Sequence, residues 1–152
     1  MVNEAPFHPA DALIPGESQF EEQVSQALVA ILQAQRGQRI ADLSAVAQLV
    51  RCIVDCANQA QAQEIHLDTD VSVGLTQVFF RVDGELVSFA WLPTPLRDPL
   101  IDHLLVLAGL DPSTWPTPEK AALALGDAFQ WHLTVVPTDE GMRDAILRRT
   151  ST

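Results

Sequence analysis

The sequence has only two cysteines and few basic residues, and each shortage excludes a class of protein. Two cysteines among 152 residues are too few for a secreted disulfide framework. No apolar run approaches the roughly 18 to 20 residues that a membrane-spanning helix needs. Residues 1–10 also lack the basic and then apolar pattern of a signal segment. We therefore expect a cytoplasmic protein that does not insert into a membrane.

The charge balance is strongly acidic. There are 20 Asp and Glu against 9 Lys and Arg, which gives a formal net charge of -11. Such a surface repels phosphate groups, so it disfavours nucleic acids and anionic membranes as partners. Proteins or basic peptides are the expected partners.

The composition is that of a folded chain, with 47% apolar and 19% charged residues, and the length suits one core. Residues 1–16 contain Pro6, Pro9 and Pro15 without an apolar period, which predicts a flexible N-terminal arm. We expect residues 17–152 to form a single domain.

The spacing of apolar residues predicts helices first and strands afterwards. It is three to four residues over 18–35 and 42–57, which indicates two helices, and it becomes two at Glu64–Asp68. Two further alternating runs flank Asp83-Gly84, a dipeptide that favours a two-residue hairpin turn.

The second half of the chain is predicted to contain a helix, a second hairpin and a final helix. Asp98-Pro99 is typical of a helix start, a second hairpin is expected around Gly126-Asp127, and Thr138 is expected to cap a last helix. This order predicts an α+β fold in which two N-terminal helices precede an antiparallel sheet. After the two helices, the expected order along the chain is three strands, a helix, two strands and a final helix. The strands would form the sheet, and helices would cover one side of it.

The Asp83-Gly84 turn fixes which side chains share a face of the first hairpin. The predicted core face consists of Val78, Phe80, Val82, Val87, Phe89 and Trp91. The opposite face consists of Gln77, Phe79, Arg81, Leu86, Ser88 and Ala90. In the second hairpin, Phe129, Trp131, Leu133 and Val135 are expected to face the core.

Four motifs in order carry a family resemblance. They are Ala62–Asp68, which reads Ala-Gln-Glu-Ile-His-Leu-Asp, then the hairpin Phe79–Leu86, then Ala108–Asp111, which reads Ala-Gly-Leu-Asp, and finally Pro137–Gly141. Over residues 42–148 the chain resembles the N-terminal domain that precedes the motor domain in type II secretion and type IV pilus assembly ATPases. That family has Ala-Ser-Asp-Ile-His-Ile-Glu, Arg-x-Arg-Ile-Asp-Gly-x-Leu, Ala-Gly-Leu-Asp and Pro-Thr-x-x-Gly at these places.

The departures from the family bear on function. Phe79 stands where the family has the first hairpin arginine, Pro118–Ala121 replaces Pro-Gln-Asp-Gly, and His132 replaces another arginine. The sequence has no Gly-x-x-x-x-Gly-Lys-Ser/Thr phosphate loop, so we do not expect ATP hydrolysis. In the family the hairpin arginines reach toward nucleotide on the motor domain, a role that the resemblance leaves open only for Arg81.

We therefore expect a non-catalytic interaction or regulatory module that binds a motor ATPase or another component of secretion or pilus machinery. The expected partner-binding residues are Gln77, Phe79, Arg81, Leu86, Ser88 and Trp115. The alternative is an acidic chaperone that resembles those of type III secretion, forms a dimer and holds an export substrate. Whether the chain forms a homodimer is left open.

Several residues could have a metal-binding or acid–base role, but each also has a purely structural explanation. Cys52 and Cys56 lie one helical turn apart and could hold zinc with His66, but a fourth ligand is missing and buried thiols explain them better. His66 and Asp68 could form an acid–base pair, although alternating exposed polar residues explain them too. Arg143, Arg148 and Arg149 would complement the dipole of the last helix. We predict no catalytic residue, no metal and no cofactor.

Overall fold

A computed structural model describes residues 17–35, 44–70, 72–111, 119–124, 130–138 and 142–150. The helices are α1 (Glu17–Gln35), α2 (Ser44–Gln59) and α3 (Arg97–Leu107), and a short 3-10 helix (Thr94–Leu96) leads into α3. The strands are β1 (Glu64–Asp70), β2 (Leu75–Val82), β3 (Glu85–Pro93), β4 (Glu119–Ala124), β5 (Gln130–Pro137) and β6 (Arg143–Thr150). The expected N-terminal arm and Trp115 lie outside the described residues.

The strands form one antiparallel sheet in the order β3-β2-β1-β6-β5-β4. Two helices precede it and a third lies between β3 and β4, so the predicted α+β class is confirmed. No helix in the described residues is long and apolar enough to cross a membrane.

The last element is a strand, so the helix predicted after Thr138 is wrong. Residues 143–150 alternate between buried and more exposed positions, and Ala145 and Leu147 are 1% and 3% exposed. This strand lies between β1 and β5 and pairs with both. A period of two over so short a run is easily mistaken for part of a helical stripe.

All three helices lie on one side of the sheet, which we call the covered face. Residues of α2, α3, β1 and β6 surround a small apolar cavity of about 10 Å³, which is about the space of one water molecule. Helix α1 packs on α2, and its Phe20 ring contacts Phe89 of β3 edge to face at 4.9 Å. Helix α2 is buried on two sides, because Cys52 and Cys56 are buried as well as Val46, Ile53 and Val54.

The first hairpin has the predicted turn, with φ of 53° at Asp83 and 83° at Gly84. Glycine suits this conformation because it lacks a Cβ atom. The second hairpin is also present, because β4 pairs with β5, and Trp131, Leu133 and Val135 are at most 1% exposed. Its turn and Phe129 lie outside the described residues.

A β-bulge changes the predicted faces of β3. The register shifts opposite Val78/Phe79, so that Phe89 becomes an extra residue. Phe89 stacks on Phe80 at 4.5 Å, and beyond it Ala90 pairs with Val78 while Trp91 pairs with Gln77. The predicted faces of Ala90 and Trp91 are therefore wrong: Ala90 packs toward the core, and Trp91 is 44% exposed.

Candidate functional site

The side of the sheet opposite the helices, which we call the open face, carries no helix in the part of the chain that is described. Its side chains come from alternate positions of four neighbouring strands. They are Gln77, Phe79 and Arg81 of β2, Leu86, Ser88 and Trp91 of β3, Glu64, His66 and Asp68 of β1, and Asp144, Ile146 and Arg148 of β6.

Glu64 is the centre of a polar cluster on this face. Its Oε1 accepts a hydrogen bond from Arg81 Nε at 2.9 Å, and its Oε2 accepts one from Arg148 Nε at 2.9 Å. His66 Nε2 lies 2.8 Å from Oε1. We call these four residues the Glu64 cluster; it joins three adjacent strands, because β1 lies between β2 and β6.

The cluster keeps the Glu64 carboxylate ionised. Burial alone would raise the pKa of Glu64, but the hydrogen bonds from His66, Arg81 and Arg148 outweigh it and lower the pKa to about 2. The side chain of Glu64 is only 13% exposed, so these partners replace most of its water. The Arg81 guanidinium is held by two intramolecular hydrogen bonds, since its Nη1 also donates to the Gly84 carbonyl at 3.0 Å.

Apolar side chains lie beside the Glu64 cluster. Phe79 pairs with His66 of β1 and with Ser88 of β3, and it is partly exposed. Leu86, the cross-strand neighbour of Arg81, is 44% exposed. The open face thus combines aromatic, aliphatic and cationic groups, a composition typical of protein interfaces.

Five of the six predicted partner-binding residues occur together on this face. Gln77 and Ser88 even touch, because Gln77 Nε2 donates to Ser88 Oγ at 3.1 Å. The sixth, Trp115, lies outside the described residues. The sequence prediction missed Trp91, whose position depends on the bulge, and Ile146 and Arg148, whose positions depend on β6 being a strand. It also missed Glu64.

The three residues that were considered as zinc ligands are not brought together. Cys52 and Cys56 are buried on α2, over the covered face, whereas His66 belongs to the open face. Burial raises the pKa of both thiols, that of Cys56 to about 12. No group of three or more potential metal ligands occurs among the described residues.

His66 and Asp68, which were considered as an acid–base pair but not predicted to be one, are not hydrogen-bonded to each other. His66 Nε2 lies 2.8 Å from Glu64 Oε1, and the charges of Asp144 and His66 act on the pKa of Asp68 in opposite directions. Burial and then the charge of Asp144 raise the pKa of Asp68, while Asp144 Oδ1 accepts a hydrogen bond from the Thr69 amide at 2.9 Å. This geometry lacks the hydrogen bond between His66 and Asp68 that a proton relay would need.

The arginines of β6 do not complement a helix dipole, because the helix predicted there is absent. Arg143 is buried and donates to Asp102 Oδ1 at 2.8 Å and to Asp98 Oδ1 at 3.1 Å, both on α3. Arg148 belongs to the Glu64 cluster. The arginine on the covered face therefore holds α3 to the sheet, and the one on the open face holds β1 to β6.

The sequence matches no model of a known protein family, and a search of curated proteins likewise gave no match. The resemblance to the secretion and pilus ATPase domain stays a prediction from the four sequence motifs.

Proposed function

We propose that this chain is a non-catalytic interaction module related to the N-terminal domain of type II secretion and type IV pilus ATPases. It binds a motor ATPase of that machinery through the open face around Phe79 and Arg81. The observation that carries the proposal is the position of Phe79: a partly exposed ring on an uncovered sheet face, where the related domains have an arginine.

The state of Arg81 supports a protein partner over a nucleotide. A guanidinium that recognises phosphate needs free N–H groups. Arg81 already donates to Glu64 and to the Gly84 carbonyl, and Glu64 has a further arginine bound. A phosphate would have to compete with that carboxylate at close range, whereas an apolar partner can cover the Phe79 ring without breaking the cluster.

The test is binding of the purified chain to a purified motor ATPase from the same cell, measured by interferometry. Phe79→Asp should weaken binding at least about tenfold, because it replaces the apolar ring that the partner covers with a carboxylate that must lose its water. The matched control is Val106→Asp, which places the same carboxylate at a 58% exposed site on α3 and should leave binding unchanged.

Three results would contradict the proposal. They are equal binding by the wild type and the Phe79→Asp variant when both are folded, nucleotide turnover by the pure chain, and a stable dimer that holds an unfolded export substrate. The last result would favour the alternative chaperone function.

A further inference from the structure

Strand β3 forms one edge of the sheet. It pairs with β2 on one side only, and no backbone hydrogen bond from a described residue reaches its other side. An edge strand offers a row of N–H and C=O groups to any extended chain that can lie beside it.

The register shows which of these groups point outward. In a two-residue hairpin the residues that flank the turn, here Val82 and Glu85, form a hydrogen-bonded pair. The next pair, Arg81 with Leu86, is therefore not hydrogen-bonded, and the alternation repeats at Ser88. The N–H and C=O groups of Leu86 and Ser88 thus point away from β2.

This edge is protected over only part of its length. Natural edge strands are blunted by lysine, proline or inward-pointing charge, whereas β3 carries Leu86, Val87 and Trp91 at 44%, 39% and 44% exposure. Within the described residues, the protection of this edge consists of the bulge at Phe89 and Pro93 at the strand end. The regular edge is therefore the short stretch from Glu85 to Ser88.

The charge near this stretch favours a basic occupant. Asp83 and Glu85 are exposed and form no ion pair with another described residue. Arg81, whose Nη1 donates to the Gly84 carbonyl between them, is bound by Glu64. A second copy of the chain would bring the same net charge of -11, so it is a poor occupant of this edge.

We propose that a short extended segment of a partner protein, with lysine or arginine alternating with apolar residues, adds to β3 as a seventh strand. Its backbone pairs with Leu86 and Ser88. Its apolar side chains extend the open face beside Leu86, and its basic side chains reach Asp83 and Glu85. The inference deepens the proposed function, because it specifies how a partner on the open face would also engage the sheet edge.

Amide hydrogen exchange tests whether the edge is free. In the isolated chain we expect the amides of Leu86 and Ser88 to exchange rapidly, while the amide of Val87, which bonds to β2, is protected. Protection of Leu86 and Ser88 in the isolated monomer would overturn the proposal, because another part of this chain would then occupy the edge. Protection that appears only in a dimer, as seen by light scattering, would assign the edge to a second copy and also overturn it.

A synthetic peptide in which valine alternates with lysine tests the occupant. It should bind, protect the amides of Leu86 and Ser88, and bind at least about tenfold more tightly than the same peptide with glutamate for lysine. Ser88→Pro should weaken binding about tenfold or more, since it removes an outward amide without removing a bond to β2. The control Ser88→Ala keeps the amide and loses only the contact with Gln77, so it should bind like the wild type.

A second probe does not depend on the folding of any variant. A peptide with methylated amides on its pairing edge keeps its charge and side chains but cannot donate to β3, and it should not bind. Equal binding by the methylated peptide, by the glutamate peptide or by a folded Ser88→Pro variant would overturn the inference, and so would no binding of the lysine peptide at millimolar concentration. The open-face proposal would survive each of these results if Phe79→Asp still weakened motor binding.

Discussion

At the residue scale, Glu64 is the best example of a side chain whose role follows from its neighbours. A lone carboxylate at a strand start would be an ordinary solvated group. Here two arginines and a histidine surround it: His66 is two residues along the same strand, and pairing with β2 and β6 brings Arg81 and Arg148 from 17 and 84 positions away. His66, which belongs to the sequence motif Ala62–Asp68, thus helps to stabilise the sheet through its contact with Glu64.

Glu64→Gln should lower the free energy of unfolding by about 1 to 2 kcal/mol near neutral pH, because an uncharged amide makes weaker hydrogen bonds with two arginines. The folded-state pKa, about 2, lies below the ordinary value of 4.5. The carboxylate therefore stabilises the fold fully above about pH 4.5, and this contribution falls away as the pH drops toward the folded-state pKa.

The measurement is urea unfolding of both proteins at about pH 7 and about pH 3, where the difference between them should be smaller. Glu85→Gln is the matched control, because Glu85 is exposed and has no ion-pair partner among the described residues. A difference that grows on acidification would contradict the role given to Glu64.

The buried thiols give a second prediction at this scale. Burial raises the pKa of Cys52 and that of Cys56, so neither is a thiolate at neutral pH. Iodoacetamide should leave both unmodified in the native protein near pH 8 and alkylate both in urea, as measured by mass spectrometry. Rapid alkylation of the native protein would show that α2 is not covered as described.

At the element scale, the sequence placed both Trp131 and Trp91 on core faces of their strands. The prediction is confirmed for Trp131 and wrong for Trp91. Trp131 is fully buried on β5, whereas Trp91 is 44% exposed on β3. Trp131→Ala should cost about 3 to 5 kcal/mol of unfolding free energy, and Trp91→Ala less than about 1 kcal/mol. Urea unfolding decides this, and equal losses for the two variants would contradict the bulge.

Alternation along a strand was enough to place Phe79, Arg81 and Leu86 on the open face, because the Asp83-Gly84 turn fixes the register from its own end. Beyond Phe89, alternation along β3 no longer predicted the correct faces of the side chains. The bulge there depends on an aromatic stack with Phe80 and on contact with Phe20 of α1, more than sixty positions away. Such contacts are tertiary and leave no local pattern.

The error at β6 has a related cause. The run Arg143–Thr150 contains few apolar residues, and its polar ones suit a helix as well as a strand. What decides between them is a gap between β1 and β5 that only a strand can fill. The Glu64–Arg148 pair, which spans 84 positions, could not be predicted without that strand.

At the scale of the whole molecule, β6 joins two parts of the sheet. One part is the β1–β3 meander and the other is the β4–β5 hairpin, and each pairs with β6 and not with the other. Both faces depend on the same strand, since Arg143 ties it to α3 on the covered side and Arg148 ties it to Glu64 on the open side. We infer that the domain unfolds as one unit only while β6 is in place.

Deletion of residues 143–152 should therefore abolish cooperative unfolding. The loss includes the buried side chains of Ala145 and Leu147 and two strand ladders, which is on the order of the 5 to 15 kcal/mol that stabilises a whole domain. Circular dichroism during urea titration should show a broad, low-amplitude change in place of a single transition. Deletion of only residues 151 and 152 is the control and should leave the transition unchanged. A sharp transition at the wild-type urea concentration in the longer deletion would mean that the remaining strands close the gap without β6, and the last segment would then be peripheral.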